Sequence, residues 1–134
     1  MTKRHLLLFF LLFTTSPLIR ADLCQSYIDL AKSNATVGTS SLESALDQYE
    51  MAVDFLDSQN IGRALISLSS SENLITRSWV QFKTSLLQLE RARPVCESAQ
   101  TISGLALEWG GRVDELDLLE ALVIKLKEDI RIAN

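Results

Sequence analysis

The stretch that decides the fold is "SLESALDQYEMAVDFLDSQNIGRALISLSSSENLITRSWVQF", residues 41–82. In its first part, apolar residues recur at steps of three and four and therefore share one face of a helix. Acidic residues occupy the far side of that helix. A capping box of Ser40 and Glu43 is expected to begin it. The predicted inner residues are Leu42, Ala45, Leu46, Tyr49, Ala52, Val53 and Leu56.

The second part of the stretch predicts a helix that runs back along the first. The turn residues Ser58, Gln59 and Asn60 separate the two helices, and Pro94 is expected to stop the second near Arg93. The run Ser69–Ser71 consists of small side chains, which would let a neighbouring helix approach closely. The predicted inner residues are Ile61, Leu65, Leu68, Ile75, Trp79, Phe82, Leu86 and Leu89.

The flanking segments extend this hairpin into a bundle. No segment shows the alternation of a β-strand, so the sequence predicts an all-α protein. We expect residues 22–134 to form a single domain, an up-and-down four-helix-type bundle. The expected parts are a short helix Asp22–Lys32, a polar loop Ser33–Ser41, the hairpin, a segment Val95–Trp109, a break at Gly110–Gly111 and a last helix Arg112–Ile132.

The first residues have the pattern of a secretory signal peptide. Lys3 and Arg4 precede the apolar run Leu6–Phe13, and a small residue, Ala21, follows the helix breaker Pro17. The apolar run is shorter than the ~20 residues that a membrane span needs. We therefore expect residues 1–21 to be removed, leaving a secreted, extracellular protein without a membrane anchor.

The charge and the histidine content of the mature chain argue against several classes of function. Residues 22–134 carry 10 basic and 17 acidic side chains, a net charge of −7, which disfavours nucleic-acid partners. The one histidine, His5, lies in the signal segment, so no imidazole remains as a general base or as a metal ligand. The acidic cluster 114–120 is interpreted as a solvated helix face. The sequence predicts no catalytic, cofactor or metal site and a protein that is not an enzyme.

Two covalent features fit a secreted chain. Cys24 and Cys96 are its two cysteines, and an even number in an oxidising compartment predicts one disulfide bond. Asn34 begins the sequon Asn34-Ala35-Thr36, which predicts N-glycosylation in the expected polar loop.

The hairpin resembles the second and third helices of the plant invertase/pectin methylesterase inhibitor family. In that family a tyrosine is followed by Ala-Val and Leu on the next turns, and a run of small residues then precedes a phenylalanine. Two departures stand out: Ala45 and Ser78 occupy the places of the family's helix-linking disulfide, and the N-terminal extension is too short. The matching residues here are Tyr49, Ala52, Val53, Leu56, Leu68, Ser69, Ser70, Ser71 and Phe82.

The resemblance implies a proteinaceous inhibitor that blocks a cell-wall carbohydrate-active enzyme, a pectin methylesterase or an acid invertase, by forming a complex in the apoplast. An antiparallel hairpin that turns near residue 60 would place Ala45 and Ser78 roughly level, which is consistent with the resemblance. Met51 and Phe55 are candidate partner-binding residues, because they are apolar but lie off the predicted inner stripe; a wide core stripe is the preferred explanation of them. The alternatives are a secreted helical signalling or scaffold protein, and a truncated relative that inhibits nothing.

Overall fold

The computed structural model describes residues 17–134, and this part of the chain is all-α, as predicted. It consists of α1 (Pro17–Asp57), α2 (Ile61–Ala92) and α3 (Ala99–Ala133), without a strand in that range. The predicted signal peptide falls mainly on residues 1–16, outside the described residues. Its last residues, 17–21, form the beginning of α1.

The prediction of a loop at residues 33–41 is wrong, because α1 runs through it without interruption. Ala35 and Leu42 continue the buried face across this segment, so burial favours the helix. The hydroxyl groups of Thr36 and Thr39 donate to backbone carbonyls one turn earlier, at 2.9 Å each. Both hydroxyls therefore have hydrogen-bond partners while the backbone stays helical. Ser40 and Glu43 therefore do not cap a helix start.

The predicted break at Gly110–Gly111 is also wrong, since α3 passes through both glycines. Each glycine costs roughly 1 kcal/mol in a helix interior. This cost is offset because one buried row continues on either side of them. The helix begins at Ala99, where Ser98 caps it by accepting from the N–H of Thr101, rather than at Val95. The buried row is Ile102, Trp109, Leu116, Val123 and Ile130.

The turn and the end of α2 agree with prediction. Gln59 has a φ of 60°, and the Asn60 side chain accepts from the N–H of Arg63 at the start of α2. The helix ends at Ala92 with Arg93 as its C-cap, one residue before Pro94. Because α1 and α3 are each continuous, the described residues form three long helices in place of the four-helix-type bundle that the sequence predicts.

Small residues, repeated every seven positions, form the contact between α1 and α2. Three serine hydroxyls of α2 donate across it to backbone carbonyls of α1. The pairs are Ser71 to Ala45 at 2.8 Å, Ser78 to Gly38 at 2.6 Å and Ser85 to Ala31 at 2.9 Å. A side chain as short as serine can reach a carbonyl of the neighbouring backbone only when two helices pack very closely. Of the predicted run Ser69–Ser71 only Ser71 lies in this contact, and the close packing is made by the seven-residue row Ser71, Ser78 and Ser85.

Larger residues fill the space beside this seam. Phe82, with no exposed surface, is the largest fully buried side chain. A Cβ atom at Gly38 would lie 3.1 Å from the Phe82 ring, so glycine is what lets the ring pack against α1. The remaining large core residues of the hairpin are Ile28, Leu42, Leu68, Ile75 and Leu89.

The register of the hairpin contradicts the level placement of Ala45 and Ser78. In each serine–carbonyl pair the two residue numbers add to 116, so Ala45 is level with Ser71, and Ser78 is level with Gly38. Ala45 and Ser78 are thus offset by seven residues, about 10 Å along the axis. A disulfide needs Cα atoms within about 7 Å, so cysteines placed at Ala45 and Ser78 could not be joined in this register.

This register gives a first prediction. A new disulfide is expected to form in the variant Ala45→Cys/Ser71→Cys, because these residues face each other across the close contact. In Ala45→Cys/Ser78→Cys, made as the matched control, both new thiols should stay free. Alkylation without reduction, followed by mass spectrometry, counts the free thiols. Two free thiols in the first variant and none in the second would contradict the register.

Leu46 is not an inner residue, contrary to prediction. Its side chain is 41% exposed, whereas Leu42 is 2% exposed. The reason is that the row Gly38–Ala45–Ala52 faces α2, and Leu46 is turned away from that row by about 100°. Ala45 and Ala52 are fully buried.

The predicted disulfide is present, joining Cys24 of α1 to Cys96 in the connection between α2 and α3, with Cα atoms 5.0 Å apart. Helix α3 packs mainly against α2 and touches α1 at few positions. The disulfide therefore supplies a covalent link between α1 and the segment that leads into α3.

Candidate protein-binding surfaces

A groove of about 480 Å³ lies between α2 and α3. Trp79 of α2 and Ile124 of α3 contribute its exposed apolar side chains, which are 42% and 55% exposed. Apolar groups left open in a groove are available to a partner's side chain. The groove is completed by Glu72, Asn73, Ile75, Thr76 and Glu120.

Charged groups surround the two apolar residues. Lys127 Nζ of α3 donates to Glu72 Oε2 of α2 at 2.7 Å, and this half-exposed ion pair joins the two helices at one end of the groove. The ammonium of Lys83 lies 5.0 Å from the centre of the Trp79 ring, within the range of a cation–π contact. The groove thus has an aromatic floor and charged edges, a combination that suits protein recognition.

A second exposed ion pair follows near the end of α3. The guanidinium of Arg131 donates two hydrogen bonds to Glu128, at 3.0 and 2.5 Å. These bonds lower the pKa of the Glu128 carboxyl and raise the pKa of Arg131. Because both groups are exposed, the pair contributes to the surface pattern rather than to the stability of the core.

The partner-binding residues predicted from the sequence lie elsewhere. Met51 is 43% exposed on α1, where its sulfur is 3.8 Å from the amide nitrogen of Gln48. Phe55 is half-buried near the α1–α2 turn, and the guanidinium carbon of Arg63 lies 5.8 Å from its ring centre. Neither residue lines the groove. They stay candidate contact residues for a separate surface.

Trp79 and Ile124 are the apolar groove residues that the sequence pattern does not identify. The pattern predicts Trp79 as an inner residue of the second hairpin helix, yet its side chain is 42% exposed. A signal was present in the sequence: Ser78, the residue before it, continues the small-residue row Ser71–Ser78–Ser85, so Trp79 must point to one side of the α1 contact.

Asn34 is found within α1 rather than in a loop, and it is half-buried. The reasoning that placed the sequon in a loop is therefore wrong, while glycosylation of Asn34 itself stays a prediction. Residues 114–120 lie within α3, and residues 17–134 contain no group of three or more His, Cys, Asp or Glu side chains that could hold a metal ion. Within the same range, none of the helices has the length and apolar character of a membrane span.

Comparison of the chain with protein-family models, with curated proteins and with solved structures gave no match.

Proposed function

We propose that the protein is a secreted inhibitor that binds a cell-wall carbohydrate-active enzyme, a pectin methylesterase or an acid invertase, and blocks it by occupying its substrate cleft. In this role it performs no chemistry of its own and needs no cofactor. The N-terminal signal pattern and the Cys24–Cys96 disulfide are compatible with an extracellular location.

The observation that carries a binding role is the groove at Trp79. A tryptophan that is 42% exposed between two helices can insert its remaining surface into a partner, and tryptophan is among the residues that dominate binding energy at interfaces. Ile124 extends this apolar surface onto α3. The resemblance of the hairpin to the inhibitor family supplies the identity of the target.

Trp79→Ala is expected to weaken inhibition about 30-fold, because a central aromatic contact contributes on the order of 2 kcal/mol. The oxidised wild-type protein is titrated against each enzyme class at mildly acidic pH, and residual activity is measured. Leu107→Ala is the matched control, since Leu107 is 81% exposed on α3 and does not line the groove; it should inhibit like wild type.

Absence of inhibition of both enzyme classes at micromolar excess would overturn the proposed function. If wild type inhibits and Trp79→Ala inhibits equally well, the enzyme target stands and the groove is the wrong surface. Circular dichroism of both variants shows whether they retain the helical fold.

A secreted helical signalling or scaffold protein is the second candidate, and the register of the hairpin favours it. Ala45 and Ser78, the positions that the resemblance pairs, are offset by seven residues. A chain that shares only helical periodicity with the inhibitors would show such an offset. The inhibition titration separates the two candidates.

A further inference from the structure

The residues before and after the α1–α2 contact point to opposite sides of the hairpin. On α1, Thr39 follows the contact residue Gly38 and lines a groove with Trp109 of α3. On α2, Trp79 follows the contact residue Ser78 and lines the other groove with α3. Successive residues of a helix differ by about 100°, so the residues just before the contact residues point away from α3. We call this side of the hairpin the open face.

Two rows of residues with seven-residue spacing run along the open face, one on each helix. The row on α1 is mostly apolar, and its four apolar side chains are 42–48% exposed. The row on α2 contains three exposed arginines at every second position. Seven residues make almost two helical turns, so each row keeps its place along its helix. The α1 row is Leu23, Leu30, Val37, Ser44 and Met51, and the α2 row is Arg63, Ser70, Arg77, Thr84 and Arg91.

The two rows lie side by side across the α1–α2 contact. Val37 is level with Arg77, Leu23 with Arg91, and Met51 with Arg63. In each pair the residue numbers add to 114, within two of the value 116 that the serine–carbonyl pairs give. At the turn end of the face, the guanidinium carbon of Arg63 lies 5.8 Å from the ring centre of Phe55, which confirms that both helices present these residues on the same side.

Within residues 17–134 the open face carries no carboxylate. Helix α1 contains seven acidic residues and α2 contains two, and all nine lie outside the two rows and outside the residues between them. None of the three arginines forms a salt bridge with another residue of this range. An acidic protein thus has one long side whose charged row is basic. The residues between the rows are Tyr27, Asn34, Ser41, Gln48, Phe55, Ser67, Leu74, Gln81 and Gln88.

We infer that the open face binds an acidic amphipathic helix of a partner protein, with the apolar side of that helix on the α1 row and its carboxylates opposite the arginines of α2. Apolar contacts at seven-residue spacing are the pattern by which one helix recognises another. The unpaired arginines attract carboxylates and repel a basic partner. From residue 23 to residue 51 the α1 row is about 42 Å long, which fits a partner helix of about four heptads.

Other occupants use only part of this face. A carboxylate polymer such as polygalacturonate would pair with the arginines and leave the apolar row uncovered. The open face of a second copy would bring no carboxylate to the arginines, because the face has none. Binding of the helix does not depend on the proposed enzyme target, since the groove at Trp79 lies on the α3 side of the hairpin.

The test measures binding of a designed peptide to the secreted full chain with Thr36→Ala. This substitution removes the sequon of Asn34, which lies in the open face, while Thr36 itself lines the groove toward α3. The probe is a fluorescein-labelled peptide of four heptads, with leucine at the first and fourth positions and glutamate at the fifth and seventh. Its glutamates disfavour pairing of the peptide with itself. Fluorescence anisotropy is expected to give a Kd on the order of 10 μM.

The control peptide has lysine in place of every glutamate and should bind at least about tenfold more weakly. The net charge of the mature chain, −7, would by itself give the reverse preference. Arg77→Glu is expected to raise the Kd of the glutamate peptide about tenfold by opposing like charges, and Leu30→Gln about tenfold by removing an apolar contact.

Lys125→Glu is the matched control for Arg77→Glu, because it makes the same change of charge on the outer side of α3, two residues after the buried Val123. It should bind the glutamate peptide like the parent chain. Circular dichroism confirms that each variant is folded.

Four results would overturn the inference. The first is no binding of the glutamate peptide up to about 100 μM, and the second is equal or tighter binding of the lysine peptide. The third is equal weakening by Arg77→Glu and Lys125→Glu. The fourth is another occupant: displacement of the peptide by polygalacturonate together with unchanged binding by Leu30→Gln assigns the face to an acidic polysaccharide, and self-association of the parent chain that Arg77→Glu abolishes assigns it to a second copy.

Discussion

Leu42→Asp is expected to unfold the protein at room temperature. Leu42 is 2% exposed, and its side chain packs within the core that α1 shares with α2 and α3. The substitution removes a buried aliphatic group and places a carboxylate where it has no partner, at a cost of about 4–5 kcal/mol or more. Because single domains are stable by only about 5–15 kcal/mol, most or all of the stability is lost. Thermal and urea melts followed by circular dichroism measure it.

Leu46→Asp is the matched control for this prediction. It makes the same chemical change four residues later on the same helix, at a side chain that is 41% exposed. Its carboxylate can remain in water, so the free energy of unfolding should fall by less than about 1 kcal/mol. Equal destabilisation by the two variants would contradict the assignment of the inner face of α1.

The features that depend on local sequence, and not on packing between helices, could be predicted. Pro94 lacks an N–H and cannot continue a helix, so α2 had to end close to Arg93. The residues 58–60 favour a turn because Asn60 can cap the following helix with its side chain. The single disulfide followed from two cysteines in a chain with a signal pattern.

The continuity of α1 and α3 was not predictable, because it depends on burial between helices. Polar residues at 33–41 and the pair Gly110–Gly111 weaken a helix in isolation. In the folded chain, one face of each segment contacts neighbouring helices, and this packing offsets the weakness. Ala35 and Trp109, which lie within or beside the two segments, are both buried.

The inner face of α1 differs from prediction for a related reason. Large apolar residues predict a face that includes Leu46, but the closest contact with α2 is made by the small residues Gly38, Ala45 and Ala52. Glycine and serine are not hydrophobic residues, so a hydrophobic pattern does not identify Gly38 and its partner Ser78. The seven-residue repeat of small residues on both helices is the signal that identifies this contact.

The exposure of Trp79 could not be obtained from periodicity alone. The sequence predicts that Trp79 lies beside the Ser78 contact, but the exposed fraction of its side chain depends on how much of that side of α2 is covered by α3. The position of α3 is set by the connection after Pro94 and by contacts such as Glu72 with Lys127. A groove between sequence-distant helices is therefore a property of the packed chain.

Removal of the disulfide in Cys24→Ala/Cys96→Ala is expected to destabilise the protein by about 4 kcal/mol. The bond closes a loop with a sequence separation of 72 residues, and opening it restores the corresponding chain entropy to the unfolded state. For a chain of this size the loss corresponds to a fall in Tm of roughly 15 °C. Differential scanning calorimetry measures the shift.

Reductant provides the control for this last prediction. Reduced wild-type protein should melt at the temperature of the double variant, because both lack the same constraint, while the double variant should not respond to reductant. The cost arises in the unfolded chain, so the helical signal of the folded variant should be unchanged. A double variant that melts with wild type would show that close α1–α2 packing and the α3 contacts hold this end of the bundle without the covalent link. In that case Cys24 and Cys96 contribute nothing to the free energy of unfolding.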